Sequence, residues 1–320
     1  MNTDMRELEK LGFSLLERGK KKWLAADSSL LEKSPARIFA LARLCASCDI
    51  PIHPVIIEVA RKLSRELGRI KGEELRGCVE EILLCGNAAE AIRQLDEMGA
   101  LSAVLPELTA MKGVPQPEEF HPEGDVFTHT LLCLTMLEKE KSNDFLLMLA
   151  TLLHDVGKPA TISRTDRVRF NRHESVGAAI ALKVAKRLML TEAQTDTLCY
   201  LVRAHMKFKN VKNMRRNRLR NFVLDERFGM LVSLVRADCL ASHGDTSDCD
   251  FAVKVREEFI LNVPLPPLIR GQDLIELGLT PGPIFSTILC EVEEKRKAGK
   301  LHTREDAFAF VREYYIGTSR

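Results

Sequence analysis

The chain has 320 residues, with 47 lysines and arginines against 45 aspartates and glutamates, a formal charge of +2 and 45% hydrophobic residues. That balance is ordinary for a globular protein. It excludes a global field strong enough to hold a polyanion, so any such site has to come from local clustering of charge.

Nine cysteines, an odd number set in apolar runs such as LLCLTML and TLCYLV, suit reduced and buried thiols. The opening MNTDMRELEKLGF lacks a basic-then-apolar leader, and no run reaches the ~18 apolar residues of a membrane span. These features predict a cytoplasmic protein with no membrane contact.

In chain order, residues 1–33 read as a helix whose basic end, Lys20, Lys21 and Lys22, forms a solvated face. From Pro35 onward Ile38, Leu41, Ala42, Cys45 and Cys48 share one helical face, with Ser34 as N-cap and Pro35 in the first turn. Cys45 and Cys48 read as core rather than a metal or redox pair, because no second pair and no preceding strand accompany them. Helices are expected at 54–67, 72–84 and 88–98, each with a glycine nearby (Gly68, Gly86, Gly99) as helix ends prefer. The first hundred residues thus read as all helix.

Four prolines between 106 and 122 predict a loop. Beyond it helices resume, interrupted at 161–170, where Thr161, Ile162, Val168 and Phe170 flank Asp166-Arg167 as in a short hairpin. From Pro264 the pattern is a short helix, a Gly-Pro turn and a longer charged helix.

Chemistry concentrates between His121 and His243, which holds six of the eight histidines. His129, His154-Asp155, His173, His205 and Asp238 are imidazoles and carboxylates of the kind that bind borderline divalent metals. His154 and Asp155 end the apolar run FLLMLATLL, and Asp238 lies inside LVSLVRADCLAS. A carboxylate so placed needs a metal or a partner to offset several kcal/mol of desolvation, and Arg236, two residues from Asp238, is badly placed on a helix to pair with it. Four histidines and two carboxylates predict two ions of Mn, Fe, Co, Ni or Zn, with Asp155 bridging between a set of His129, His154 and Asp238 and a set of His173 and His205. Gly157 frees Lys158 to return toward the site, where its ammonium suits a phosphate oxygen as well as a helix C-terminus. His53, His121, His243 and His302 read as surface histidines.

Directly after His205, the stretch MKFKNVKNMRRNRLRN carries Lys207, Lys209, Lys212, Arg215, Arg216, Arg218 and Arg220. Positives on one helix beside a metal site would steer a phosphate backbone toward it.

The order of these ligands resembles that of the HD superfamily of metal-dependent phosphohydrolases. HPEGDVFTHTL, LATLLHDVGKPAT and VRFNRHESVGA are similar to the version attached to bacterial CCA-adding tRNA nucleotidyltransferases and their poly(A) polymerase relatives. EMGALSAVLPEL and PLIRGQDLIELGLTPGP resemble the neck and tail of those enzymes, and the likeness covers residues 34–312. It implies an all-α fold with a helical neck over 1–110, an HD domain over 111–262 and a helical tail over 263–320. The Gly-Gly turn and carboxylate pair of the family's transferase head have no counterpart here. In the neck, Ser34, Ala40 and Glu73-Glu74-Leu75 stand where the family carries other residues.

The expected activity is therefore phosphoester hydrolysis and not nucleotidyl transfer. The resemblance implies a nucleotide, a 2′,3′-cyclic phosphate or an RNA 3′-end phosphoester as substrate, with tRNA as partner. Two other classes stay open: an RNA-binding module with an idle or structural metal site, and a small-molecule nucleotidase or second-messenger phosphodiesterase.

Overall fold

The computed structural model describes residues 8–18, 21–117, 119, 121–164, 168–261 and 267–317. The chain forms two compact units, Met1–Glu257 and Glu258–Arg320.

The first unit contains a hairpin near its start where a helix was expected. Strands β1 (Phe13–Arg18) and β2 (Lys21–Ala26) pair antiparallel, with Phe13 opposite Ala26 and Arg18 opposite Lys21. Leu24 is fully buried, and its backbone bonds to Pro51 O and to the His53 N–H. This tertiary pairing overrides the helix propensity of the Leu, Lys and Glu residues here. Lys21 and Lys22 are exposed on β2, Lys22 beside Glu17 at 2.5 Å; Lys20 lies outside the described residues.

Helix α1 (Ser28–Lys33) is capped by Asp27 and closed by Ser34, so Ser34 ends one helix rather than capping the next. Helix α2 (Arg37–Cys48) starts without a side-chain cap. Helix α3 (Pro54–Leu63) has Pro54 in its first turn and runs into a 3-10 segment, Ser64–Arg69, then come α4 (Gly72–Leu83) and α5 (Ala88–Glu97). Two short helices follow, α6 (Ala100–Val104) and α7 (Pro106–Thr109). The expected loop thus begins one turn later than its first proline, because a proline at the first helical position loses no intrahelical bond.

The elements from Val126 to Leu261 include those that carry the metal-ligand candidates. They are α8 (Val126–Lys139), α9 (Phe145–Leu153), α10 (Lys158–Thr161), the paired strands β3 (Ile162–Arg164) and β4 (Val168–Phe170), α11 (His173–Arg187), α12 (Glu192–Ala204), a 3-10 segment (His205–Asn213), α13 (Arg216–Val223), α14 (Phe228–Ala241) and α15 (Ser247–Leu261). Ile162 faces Phe170 across the second hairpin, and Asp166-Arg167 lie outside the described residues. Helix α9 is apolar all round, with Leu147 through Leu153 buried, as a central helix must be. It packs on α8, α12 and α14, while α11 packs on α12. Residues read as neck and residues read as HD region share this one unit.

The second unit gathers α16 (Gly271–Glu276), α17 (Ile284–Lys297) and α18 (Arg304–Val311) around Leu274, Ile288, Val292, Ala307 and Phe310. A reciprocal cap between Thr303 and Asp306 starts α18. The fold is all-α with two small antiparallel hairpins. All nine cysteines are free thiols. Among the described residues no helix is long and apolar enough to cross a membrane.

Candidate metal centre

Six residues far apart in sequence meet because α9 is central. Its apolar run ends at His154, with Asp155 next, and both are buried. His129 is in the first turns of α8, whose N-cap Asp125 accepts from Thr128 N at 2.8 Å and from Gly113 N at 2.5 Å. His173 is the first residue of α11, following Arg172 in a left-handed conformation (φ 60). His205 closes α12, and Asp238 comes from α14.

The imidazoles are held by their far nitrogens. Nδ1 of His154 donates to Thr151 O at 2.7 Å, that of His173 to Phe170 O at 2.9 Å, that of His205 to Val202 O at 2.7 Å, and that of His129 to Glu123 Oε1 at 2.5 Å. These bonds assign the proton to Nδ1 and leave the Nε2 lone pairs for a metal, as in carboxylate- or carbonyl-supported metal histidines.

Asp155 lies between two sets of Nε2 atoms. Its Oδ2 is 3.2 Å from His154 and 3.9 Å from His129, and its Oδ1 is 3.3 Å from His173 and 3.9 Å from His205. Asp238 Oδ1 lies 3.0 Å from His129 Nε2 and 4.0 Å from His154 Nε2. Two groups result, each with its ligand atoms within 4.8 Å of one another: His129, Cys133, His154 and Asp238 on one side, Asp155, His173 and His205 on the other.

Electrostatics match the donor set. Burial pushes the Asp155 carboxyl up, but the His154 imidazole and the Lys158 ammonium outweigh it and hold the carboxyl well below the usual range. Burial also opposes charge on His129, but Cys133, Asp238 and Glu123 outweigh it and hold its pKa well above the ordinary value, a surrounding that favours positive charge. Burial, then the His154 ring, lower His205 to about 3, which keeps it a neutral ligand. His154 Nε2 is buried with no hydrogen-bond partner, a costly state for a nitrogen unless a ligand satisfies it. Four imidazoles anchored through Nδ1, two carboxyls held below the usual range and one nitrogen without a hydrogen-bond partner form a site that can hold a divalent metal.

Lys158 is buried; its Nζ is 2.6 Å from Asp155 Oδ2, donates to Gln116 Oε1 at 2.6 Å and stands 5.3 Å from the centre of the Phe170 ring. A cleft of about 990 Å³ opens on Asp155, Lys158, His173, His205 and Asp238, with Lys209 and His243 on its wall.

Sequence reasoning missed Glu123, which joins His121 Nδ1 at 2.9 Å to His129 Nδ1 at 2.5 Å. His121, expected on the surface, is partly buried with its ring 4.7 Å from that of His129. The available signal was two acids, Glu123 and Asp125, just before the helix that carries His129; loop geometry then decides which one caps and which one supports the ligand.

The basic stretch departs from expectation. It is not one helix but a 3-10 segment to Asn213 followed by α13 from Arg216. Lys212 is paired with Asp248 at 2.8 Å, whereas Lys209 lines the metal cleft. Lys207, Arg215 and Arg218 join Arg203 around a separate cavity of about 930 Å³. Arg216 and Arg220 are exposed on α13.

Residues 126–233 match the family model described as HD domain, a span that takes in His129, His154, Asp155, His173 and His205 and stops short of Asp238. The chain is 32% identical over 305 residues to the A-adding tRNA nucleotidyltransferase of Deinococcus radiodurans, covering 89% of this chain and 69% of that one. It is 32% identical over 269 residues to the CC-adding tRNA nucleotidyltransferase of Thermus thermophilus, covering 81% of this chain but only 58% of the relative. A Thermotoga maritima CCA-adding enzyme complexed with tRNA aligns in structure over 96% of this chain and 65% of its own, with 16% identity and a TM-score of 0.46. The chain belongs to the tRNA nucleotidyltransferase family. That membership overturns the expectation of a phosphohydrolase that is not a nucleotidyltransferase.

Proposed function

We propose that this protein acts on tRNA within the nucleotide-adding chemistry for which its relatives are named, and that its HD centre is a metal-dependent hydrolytic site serving the same RNA. The observation that carries the second part is Asp155, whose two carboxylate oxygens face two separate histidine sets. His129, His154 and Asp238 would hold one divalent ion and His173 and His205 a second, with Asp155 shared. Bound there, such ions supply Lewis acidity and water of lowered pKa.

The chain's own residues do the rest. Lys158, buried against Asp155 and Gln116, orients the shared carboxylate and offers a fixed positive charge to a phosphoryl oxygen in the cleft. Lys209 on the cleft wall extends that attraction outward. The cations around the second cavity supply a path for an RNA backbone.

The test uses the full chain loaded with manganese, nickel or zinc. It measures tRNA binding, incorporation of label from ATP or CTP into tRNA, and release of product from phosphoesters. The expected result is tRNA binding and label incorporation that survive Asp155→Asn, with hydrolysis abolished by it. Absence of both binding and incorporation would overturn the tRNA reading, and hydrolysis surviving Asp155→Asn would overturn the hydrolytic one.

A further inference from the structure

One group in the centre is unaccounted for by histidines and carboxylates. Cys133 follows His129 by one turn of α8, so the two side chains share a face. Its side chain is fully buried. Its Sγ lies 3.4 Å from His129 Nε2, the nitrogen that the Glu123 bond leaves free, rather than in the hydrocarbon packing of the helix.

On the other side of the same space is the orphaned Nε2 of His154, and Asp238 Oδ1 lies within 3.0 Å of His129 Nε2. An ion with bonds near 2.0–2.3 Å places its ligand atoms roughly 3–4 Å apart. The four atoms here, all within 4.8 Å of one another, need only a small closure to reach that spacing, and Asp155 Oδ2, 3.2 Å from His154 Nε2, already has it.

We infer that Cys133 is a thiolate ligand of the metal held by His129, His154 and Asp238, added to the shared Asp155 and making this position selective for zinc or cobalt over magnesium and manganese. The inference rests on the metal-centre reading above and deepens it. Soft thiolate disfavours hard cations. The set of Asp155, His173 and His205 offers only nitrogen and oxygen. The two positions therefore differ in kind, one suited to a tightly held ion and the other to an ion that keeps open positions.

The experiment is spectroscopic and does not depend on turnover. The full chain is loaded with cobalt(II), and the near-ultraviolet thiolate-to-cobalt charge-transfer band is recorded against bound cobalt measured by elemental analysis. The inference expects the band in the native chain, its loss in Cys133→Ser and in Cys133→Val, and weaker binding of the first ion by about 10- to 100-fold in both. Because a buried substitution can unfold the chain, X-ray absorption of the native zinc protein is the second arm, with a sulfur neighbour expected at about 2.3 Å. Bound cobalt without the band, a band that survives in the variants, or zinc with only nitrogen and oxygen neighbours would overturn the thiolate and leave the metal centre standing. No bound metal at all would overturn both.

Discussion

A Cβ placed on Gly157 would lie 2.1 Å from the carbonyl oxygen of His173 and 2.6 Å from the backbone nitrogen of Gly177. Gly157 has an ordinary backbone conformation (φ −83), so the reason for glycine here is space and not torsion. The turn after Asp155 rests directly on the first turn of α11, which is how Asp155 and His173 come within 3.3 Å.

Gly157→Ala is accordingly predicted to cost about 1–3 kcal/mol or more, because backbone has to move. It should also loosen the ion on the His173 side more than the ion on the His129 side. Thermal unfolding and metal titration of the variant check this, and unchanged values for both would show that α11 can shift freely.

Glycine at 157 was legible from the sequence as a helix end, but its contact with α11 was not, because the distance between two segments is a tertiary fact. The same division holds elsewhere. Periodicity located α2, α4 and α5 to within a residue or two at most ends, and the apolar run before His154 marked a central helix. It failed at β1 and β2, where Leu24 is paired with the backbone of Pro51 and His53 and local propensity points the other way. The six candidate ligands that the fold brings together could be singled out from their types and order; Glu123, His121, Gln116 and Cys133 could not, since nothing local separates a supporting residue from a surface or core one. The likeness to the transferases was legible over residues 34–312, but the altered neck residues and the head motif without a counterpart pointed away from nucleotidyl transfer, and similarity over 305 residues carries the opposite sign.

Arg187 grips Glu107 with two nitrogens, at 2.9 and 2.6 Å, and also donates to Val104 O at 2.9 Å, tying α11 to α7. Burial pushes the Glu107 carboxyl up, but the Arg187 hydrogen bond outweighs it and the folded pKa is lowered. A lowered carboxyl stabilises the fold above its unfolded pKa, and that contribution is lost as pH falls through the folded pKa. Arg187→Ala should cost about 1–2 kcal/mol at neutral pH, with the difference from the native chain shrinking in acid below the ordinary carboxylate range. Urea unfolding at several pH values measures it, and a pH-independent difference would mean that the ion pair is not its source.

Lys158 and Asp155 form a buried pair at 2.6 Å. Removing the ammonium strands a carboxylate, so Lys158→Met is predicted to destabilise the metal-free chain by about 3–5 kcal/mol. A bound divalent ion replaces the lost positive charge, and the cost should fall markedly in the loaded protein. Unfolding with chelator and with zinc compares the two, and equal costs would contradict a metal beside Asp155.

Around the second cavity, Lys207 is pulled down in pKa by burial and then by Arg218, and Arg203, Arg215 and Arg218 line the same space. Gathered like charges favour an anion. Changing Arg215 and Arg218 together to alanine should weaken tRNA binding and lower the salt slope by about 0.7 per lost single-strand contact. Binding measured across a salt series tests this, and an unchanged slope would remove the cavity from the RNA path.

Anomalous X-ray scattering from crystals of the zinc-loaded chain decides whether two ions share Asp155. Two peaks are predicted, one among His129, His154 and Asp238 and one against His173 and His205, about 3.5–4 Å apart with Asp155 touching both. A single peak, or two peaks with Asp155 in contact with neither, would contradict the shared centre.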